Sequence, residues 1–334
     1  MNTLEDLIVD DIRTKVLVDE NTEFDFESTI LELCQIQQES YDLDCDINTL
    51  DLACECANEV EVTQEASSGI GQKLKEIAKK IIMIITRLCI FIYKVIQAPF
   101  TFIQNLIHSG SFKKAAKIVK FDIKGADAAT QQIMETVMKM TPSAKTIKKR
   151  AELMDEFIKF QMDFIATGKK IYLDPISIYF FTDASNEFKN KYSETHNGSE
   201  YSGDSTAYDK TEDDFERKQK EFNKNYQDII DGKTNCANDQ ELYDTLTEVQ
   251  RMQKISDAEG VITETQNQVR VIEKLISGKD WDKIPQERQQ KIIGYLNHLK
   301  AMLNSLSIMY ADQAKDVKEI YESTNKIIKI VEKK

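Results

Sequence analysis

The sequence predicts an all-α fold, an amphipathic helix followed by a long-helix bundle or coiled-coil hairpin, and three observations predict it. Its 334 residues include only 11 glycines and 4 prolines, too few for the tight turns of a sandwich or barrel. A composition rich in Lys, Glu, Ile and Gln favours helix over strand. Near the C-terminus, Ile292, Leu296, Leu299, Leu303, Leu306, Tyr310, Gln313, Val317, Ile320, Thr324, Ile327 and Val331 recur in steps of four and three. That is a heptad-like seam with three polar interruptions, and it predicts a helix over 285–332.

Charge divides the chain. The formal net charge of −13 conceals a leader, 1–65, in which 19 acidic side chains face only Arg13 and Lys15, a balance of −17. From Ala66 to Lys124 the balance reverses to +9, with Glu76 and Asp122 as the only acids. Such a switch points either to self-shielding or to anionic partners for the basic part. Within the leader, Leu4, Leu7, Ile8 and Ile12, then Ile30, Leu31, Leu33 and Ile36, fit small helices. Like-charge density opposes their packing on one another, so the leader is expected to dock on something basic or to stay loosely ordered.

Five segments follow: the acidic leader or propeptide at 1–65, a basic amphipathic membrane-competent segment at 66–125, a helical segment at 126–181, a polar linker at 182–212, and a long helical hairpin or coiled coil at 213–334. Ala66-Ser67-Ser68-Gly69-Ile70-Gly71 reads as a hinge. One helix is predicted from Gln72 to about Gln97, ended or kinked by Pro99. Gly110 and Gly125 punctuate a second basic stretch, and Thr141-Pro142 resembles a cap with proline at the first helical position. Leu153, Met154, Phe157, Phe160, Phe164 and Ile165 mark the next helix, with Gly168 as its stop. Helices are also predicted at about 212–231 and 239–277, the latter pairing with the heptad seam; the same seam would serve a homo-oligomer.

The most informative stretch is Ile81–Ile103, almost wholly apolar and long enough to cross a bilayer. Arg87 and Lys94 sit inside it, and each would cost about 2.5–3.5 kcal/mol near a bilayer centre. Lys73, Lys80, Arg87 and Lys94 fall seven apart, so each is displaced only about 20° around the helix from the last. The result is a narrow cationic stripe on an apolar helix. It suits a helix lying in a membrane interface, one lining a polar seam in an oligomer, or a core helix whose stripe faces solvent.

Chemistry-bearing motifs are missing. Gly69-Ile70-Gly71-Gln72-Lys73 lacks the spacing and hydroxyl of a phosphate-binding loop. His108, His196 and His298 have no partner at zinc-ligand spacing. Asp42, Asp44 and Asp46 imitate a calcium loop, but Ile47 replaces its glycine and Ala53 its bidentate glutamate, which leaves a solvated acidic run. Cys34, Cys45, Cys54, Cys56, Cys89 and Cys236 match no C-x-x-C pair and no zinc ribbon, and read as buried or free thiols in a reducing compartment. The N-terminus carries no secretory pattern. The chain is therefore expected to be non-enzymatic and without a cofactor. Lys113, Lys114, Lys117, Lys120 and Lys124 are candidate phosphate contacts to non-specific DNA, although no nucleic-acid-binding module accompanies them.

An acidic leader, the junction Val62-Thr63-Gln64-Glu65 before Ala66-Ser67-Ser68, and the Lys-rich helix from Lys73 to Phe102 stand in an order that resembles the internal virion proteins of large tailed bacteriophages. The resemblance covers roughly 1–105. It implies a structural protein of the capsid interior, among other virion proteins, whose leader is cut between Glu65 and Ala66. Ile30-Leu31-Glu32 is a weaker match to the same kind of site. It further implies that the basic helix then meets DNA or a membrane. The alternative expectation is a cytoplasmic, membrane-peripheral coiled-coil scaffold or pore-forming toxin-like protein, with the leader as a permanent autoinhibitory arm against an anionic membrane surface.

Overall fold

The computed structural model describes residues 26–59, 64–108, 144–173, 205–232, 255–278, 281–284 and 286–332, with isolated positions at 128 and 131–132. Its described elements are all helical: α1 (Phe26–Glu59), α2 (Gln64–His108), α3 (Ala144–Tyr172), α4 (Ser205–Asp231), α5 (Ile255–Ser277), a 3₁₀ turn (Trp281–Lys283) and α6 (Gln286–Glu332). Four of them form the bundle. α2 packs along α6, α6 on α3, α3 on α5, and α5 back on α2, while α1 covers the outside of α2 and α6 and α4 covers α3.

α2 is the spine, because its apolar positions run most of the way round. Ile81, Ile85, Leu88, Cys89, Phe91 and Ile92 are completely buried, and Met83 is its one exposed large apolar side chain among the described residues. A side chain of this kind contributes about 1.5–3 kcal/mol on burial, so a helix this apolar is stable only when surrounded. In this fold α2 is therefore a core helix. No helix among the described residues is long and apolar enough to cross a membrane.

Several expected boundaries move. α2 starts at Gln64 and runs through Gly69 and Gly71, so the small-residue run is helix rather than hinge. It also continues nine residues beyond Pro99 to His108. An interior proline forfeits one backbone hydrogen bond and costs about 3 kcal/mol, against the many buried side chains that anchor the turns before it. The small helix expected around Ile30–Ile36 is part of one helix of 34 residues, α1, and the one expected around Leu4–Ile12 lies outside the described residues. Of the expected polar linker, 205–212 belongs to α4. α5 begins at Ile255, with 239–254 outside the described residues, as are Gly110, Gly125 and the Thr141-Pro142 cap.

The seam on α6 is real but differently used. Ile292, Leu296, Leu299, Leu303 and Leu306 are buried at 1% exposure or less, and Gln313 is buried as well. The main partner of α6 is α2 rather than α5, so the expected pairing with 239–277 is corrected. This half of the seam is occupied inside the molecule and cannot also join copies. From Val317 onward the seam side chains lie outside those described.

Gly168 is likewise misread as a stop. α3 runs on to Tyr172, and a Cβ at position 168 would stand 2.2 Å from Tyr295 Cε2. Tyr295 is fully buried and its hydroxyl donates to Gln268 Oε1, whose Nε2 donates to Ile165 O at 2.9 Å. The glycine is a contact between helices.

One ion pair is buried on both sides. Arg150 of α3 and Asp316 of α6 are 1% and 2% exposed, with Nη1 donating to Oδ2 at 2.7 Å. Removing one partner strands the other charge in a dry site. Asp316→Ala should therefore lower the unfolding free energy by about 3–5 kcal/mol, and Arg150→Met with Asp316→Leu should restore most of it, read by urea denaturation. Gly168→Ala should cost about 1–3 kcal/mol, and adding Tyr295→Leu should recover part of that loss in the same assay.

Candidate functional site

α1 meets α2 along an inner seam of its own. Leu33, Ile36, Ser40, Leu43, Ile47 and Leu50 recur in steps of three and four, and all are buried except the half-buried Ile47. This is coiled-coil spacing, and it turns one face of α1 toward α2 along about five turns.

Beside the seam runs a row of ion pairs. Lys80 Nζ donates to Asp46 Oδ2 at 3.0 Å, Arg87 Nη1 donates to Glu39 Oε2, and Lys94 Nζ donates to Glu32 Oε2 at 3.2 Å. As the bases advance by seven residues the acids retreat by seven, so the helices are antiparallel and in one register. The next step falls on Ala53, so the carboxylates end one heptad short of Lys73, which stands exposed on α2. Each side chain in the row is about one-third to one-half exposed, and such pairs contribute only about 0.2–1 kcal/mol each.

A fourth pair crosses to α6. Lys300 Nζ donates to Asp44 Oδ1 at 2.6 Å, and the lysine side chain is 2% exposed. Burial pulls its pKa below the usual lysine range, while the hydrogen bond and charge of Asp44 pull it back up. Thus Asp42, Asp44 and Asp46 point three ways from a helix. Asp42 accepts from Gln38, Asp44 meets Lys300, and Asp46 meets Lys80. Two of the three belong to the interface, where the sequence showed only a solvated acidic run.

The structure therefore gathers Lys80, Arg87 and Lys94 from the expected cationic face. Lys113, Lys114, Lys117, Lys120 and Lys124 lie outside the described residues. Glu65 and Ala66 occupy the first turn of α2. Glu32, Glu39, Asp44, Asp46 and Lys300 were missed. The seven-residue spacing of the first, second and fourth mirrors that of the stripe and was the available signal.

Beneath this interface lies a cleft of roughly 170 Å³ between α1, α2 and α6, lined by Asn48, Leu74, Ile77, Gln290, Asn297 and His298 among others. His298 packs against Phe215 and Phe164, at ring-centroid distances of 4.4 and 6.0 Å. Burial pushes its pKa down to about 4, with Glu216 pulling weakly upward. Cys89 is buried and its thiol is pushed up to about 12, whereas Cys34 and Cys45 are exposed. Among the described residues no group of three or more His, Cys, Asp or Glu side chains gathers to hold a metal ion.

No protein-family model, curated protein or solved structure matches the chain.

The histidine gives a pH dependence with a definite sign. Between about pH 4 and 6.5 the unfolded chain binds a proton at His298 that the folded chain does not, so stability rises with pH across that window and falls as pH drops. Wild type should lose up to about 3 kcal/mol more than His298→Phe between pH 7 and 4, measured by paired denaturation curves.

Proposed function

We propose that the chain is a non-enzymatic, self-masking structural protein, in which α1 is an acidic cover over a cationic helix directed at a polyanionic surface. The observation that carries this reading is the single antiparallel register of Lys80–Asp46, Arg87–Glu39 and Lys94–Glu32. Charge-matched helices in one register use their mutual attraction to keep the cations from other anions. Lifting α1 uncovers the row together with Lys300 and the apolar strip under Leu33, Ile36, Leu43 and Leu50.

The setting this reading favours is the interior of a tailed-phage virion, which the order of parts resembles. A cut between Glu65 and Ala66 separates all of α1 from all but the first two residues of α2. The basic helix would then be free to meet DNA or a host membrane on ejection. A second reading, a membrane-peripheral scaffold or toxin-like protein with a permanent autoinhibitory arm, is favoured by one observation. Glu65 and Ala66 are helical, so a protease requiring an extended chain must first unwind that turn.

Both readings require that weakening the cover exposes the row. Glu32→Gln, Glu39→Gln and Asp46→Asn together should raise binding to phosphatidylglycerol vesicles or duplex DNA about tenfold in a co-sedimentation or polarisation assay. That corresponds to three pairs at about 0.5 kcal/mol each. Added salt should erase the gain. The comparison chain neutralises Glu27, Asp42 and Asp213, which are exposed and outside the row. Equal binding by the two variants would contradict the masking.

A further inference from the structure

We propose that the partner of the surface under α1 is a bilayer of anionic lipids rather than duplex DNA. This partner presupposes the masking proposed above. The first observation is what α1 supplies. It brings to α2 and α6 the carboxylates of Glu32, Glu39, Asp46 and Asp44, and the apolar side chains of Leu33, Ile36, Leu43 and Leu50. The pairs on α2 are partly exposed and individually weak, so the apolar seam is the larger part of the attachment. A partner that displaces α1 has to replace both parts. Duplex DNA returns anions alone and leaves the strip under the seam in water. An anionic bilayer returns phosphates to the cations and acyl chains to the strip.

The second observation is where the charges stand around the strip. On α1, Glu32, Glu39 and Asp46 lie along one edge of the inner seam, and Asp44 lies along the other, about 160° from Asp46 around the helix. Their partners are divided in the same way. Lys80, Arg87 and Lys94 of α2 border one side, and Lys300 of α6 borders the other. Between them, Leu74 and Ile77 share a cleft with Ile47 and Leu50 of α1. Ile84 and Phe91 repeat the place of Ile77 one and two heptads further on, and both are buried. With α1 lifted, the face is therefore an apolar strip with long cationic side chains on both rims. That is the layout of a surface lying in a membrane interface, where the strip meets the acyl boundary and Lys and Arg extend to the phosphates.

The third observation is that the row is straight. Lys80 to Lys94 spans about 21 Å of helix axis. Over that distance one strand of B-DNA passes about six phosphates and winds through more than half a turn, so it meets the row only where it crosses it. A bilayer presents phosphates along any line. No helix among the described residues is long and apolar enough to cross a membrane, and this surface calls for none, because it lies on the bilayer.

The test uses the full-length chain carrying Glu32→Gln, Glu39→Gln and Asp46→Asn, in which the cover is loosened equally for every partner. It is presented with phosphatidylglycerol vesicles, phosphatidylcholine vesicles and duplex DNA at equal phosphate concentration. Binding is read by co-sedimentation or polarisation, and the state of α1 by hydrogen exchange with mass spectrometry. On phosphatidylglycerol the amides of 26–59 should lose protection about tenfold or more while those of α2 keep theirs. Part of that binding should survive about 0.5 M salt. DNA should bind at least about tenfold more weakly, a difference equal to burying one apolar side chain. It should leave α1 protected and release entirely in the same salt, and phosphatidylcholine should not bind. DNA that binds as tightly, or that strips protection from α1, overturns the proposal. So does equal binding to phosphatidylcholine, or vesicle binding that salt abolishes while α1 stays protected. The masking is judged separately, by this variant against the chain neutralised at Glu27, Asp42 and Asp213. A gain on DNA alone keeps the masking and overturns the bilayer, whereas no gain on either removes the masking itself.

Discussion

The rest of the structure depends on how α2 is accommodated in water. From Lys80 onward the helix is apolar around most of its circumference, and along the remainder it carries the row Lys80, Arg87 and Lys94. Surrounding it with apolar helices alone would bury Arg87 and Lys94 without counter-charges, at a cost of several kcal/mol per ion. Leaving the row side open would expose the leucines and isoleucines that flank it. The chain meets both demands. α6 and α5 close the apolar sides, and α1 supplies a surface that is apolar along one line and acidic along the next. The acidity of 26–59 is thus a requirement of the packing as well as a matter of solubility.

Within the α1 interface the apolar seam and the ion row do different work. Four well-buried apolar side chains, at about 1.5–3 kcal/mol each, outweigh three half-exposed pairs at about 0.2–1 kcal/mol each. Nor does the row by itself choose the register. A slip of one heptad would set Asp46, Glu39, Glu32 and Asp25 opposite Lys73, Lys80, Arg87 and Lys94, four matches in place of three. The same slip would bring Gln37 to Lys300 in place of Asp44. Lys300 is 2% exposed, and a lysine this deeply buried requires a carboxylate. The observed register is the one that satisfies the buried cation, and the exposed pairs follow from it.

The helices were largely legible and their partners were not. The end of α4 and the whole of α6 were placed to within a residue because their apolar steps of three and four persist over many turns. The cationic face was readable for the same reason, since a seven-residue spacing survives without knowledge of the partner. α1 was reduced to one short piece around Ile30–Ile36 because acids occupy several of its rows and dilute the apolar line, so periodicity shows only once the matching bases are set beside it. Glycine was the commonest source of error. Gly69 and Gly71 were taken for a hinge and Gly168 for a stop, yet a helix held by packing tolerates the roughly 1 kcal/mol that each costs. In the case of Gly168, the reason is Tyr295, 127 residues away, a contact no local pattern carries. Lys300 and Asp44, 256 positions apart, were invisible for the same reason.

The two flanking helices are held by different forces. α4 is fixed to α3 by rings, with Phe157 on Phe222 at 3.6 Å and Phe164 on Phe215 at 4.5 Å, and to α6 by Tyr226 donating to Asp312 and Gln219 donating to Ser305 at 2.7 Å. Ring contacts of this kind are indifferent to ionic strength. α1 combines a thin apolar seam with exposed ion pairs, and its uncompensated acids repel one another whenever it leaves α2. At physiological salt the Debye length is about 8 Å, so α1 alone among the flanks has an attachment that salt or a competing polyanion weakens directly. Local opening starts where buried contacts are fewest and exposed ones most numerous. α1 buries Leu33, Ile36, Leu43 and Leu50 where α4 buries only Phe215 and Phe222, so salt acts on the exposed ion pairs of α1 while its apolar seam keeps it on the four-helix body.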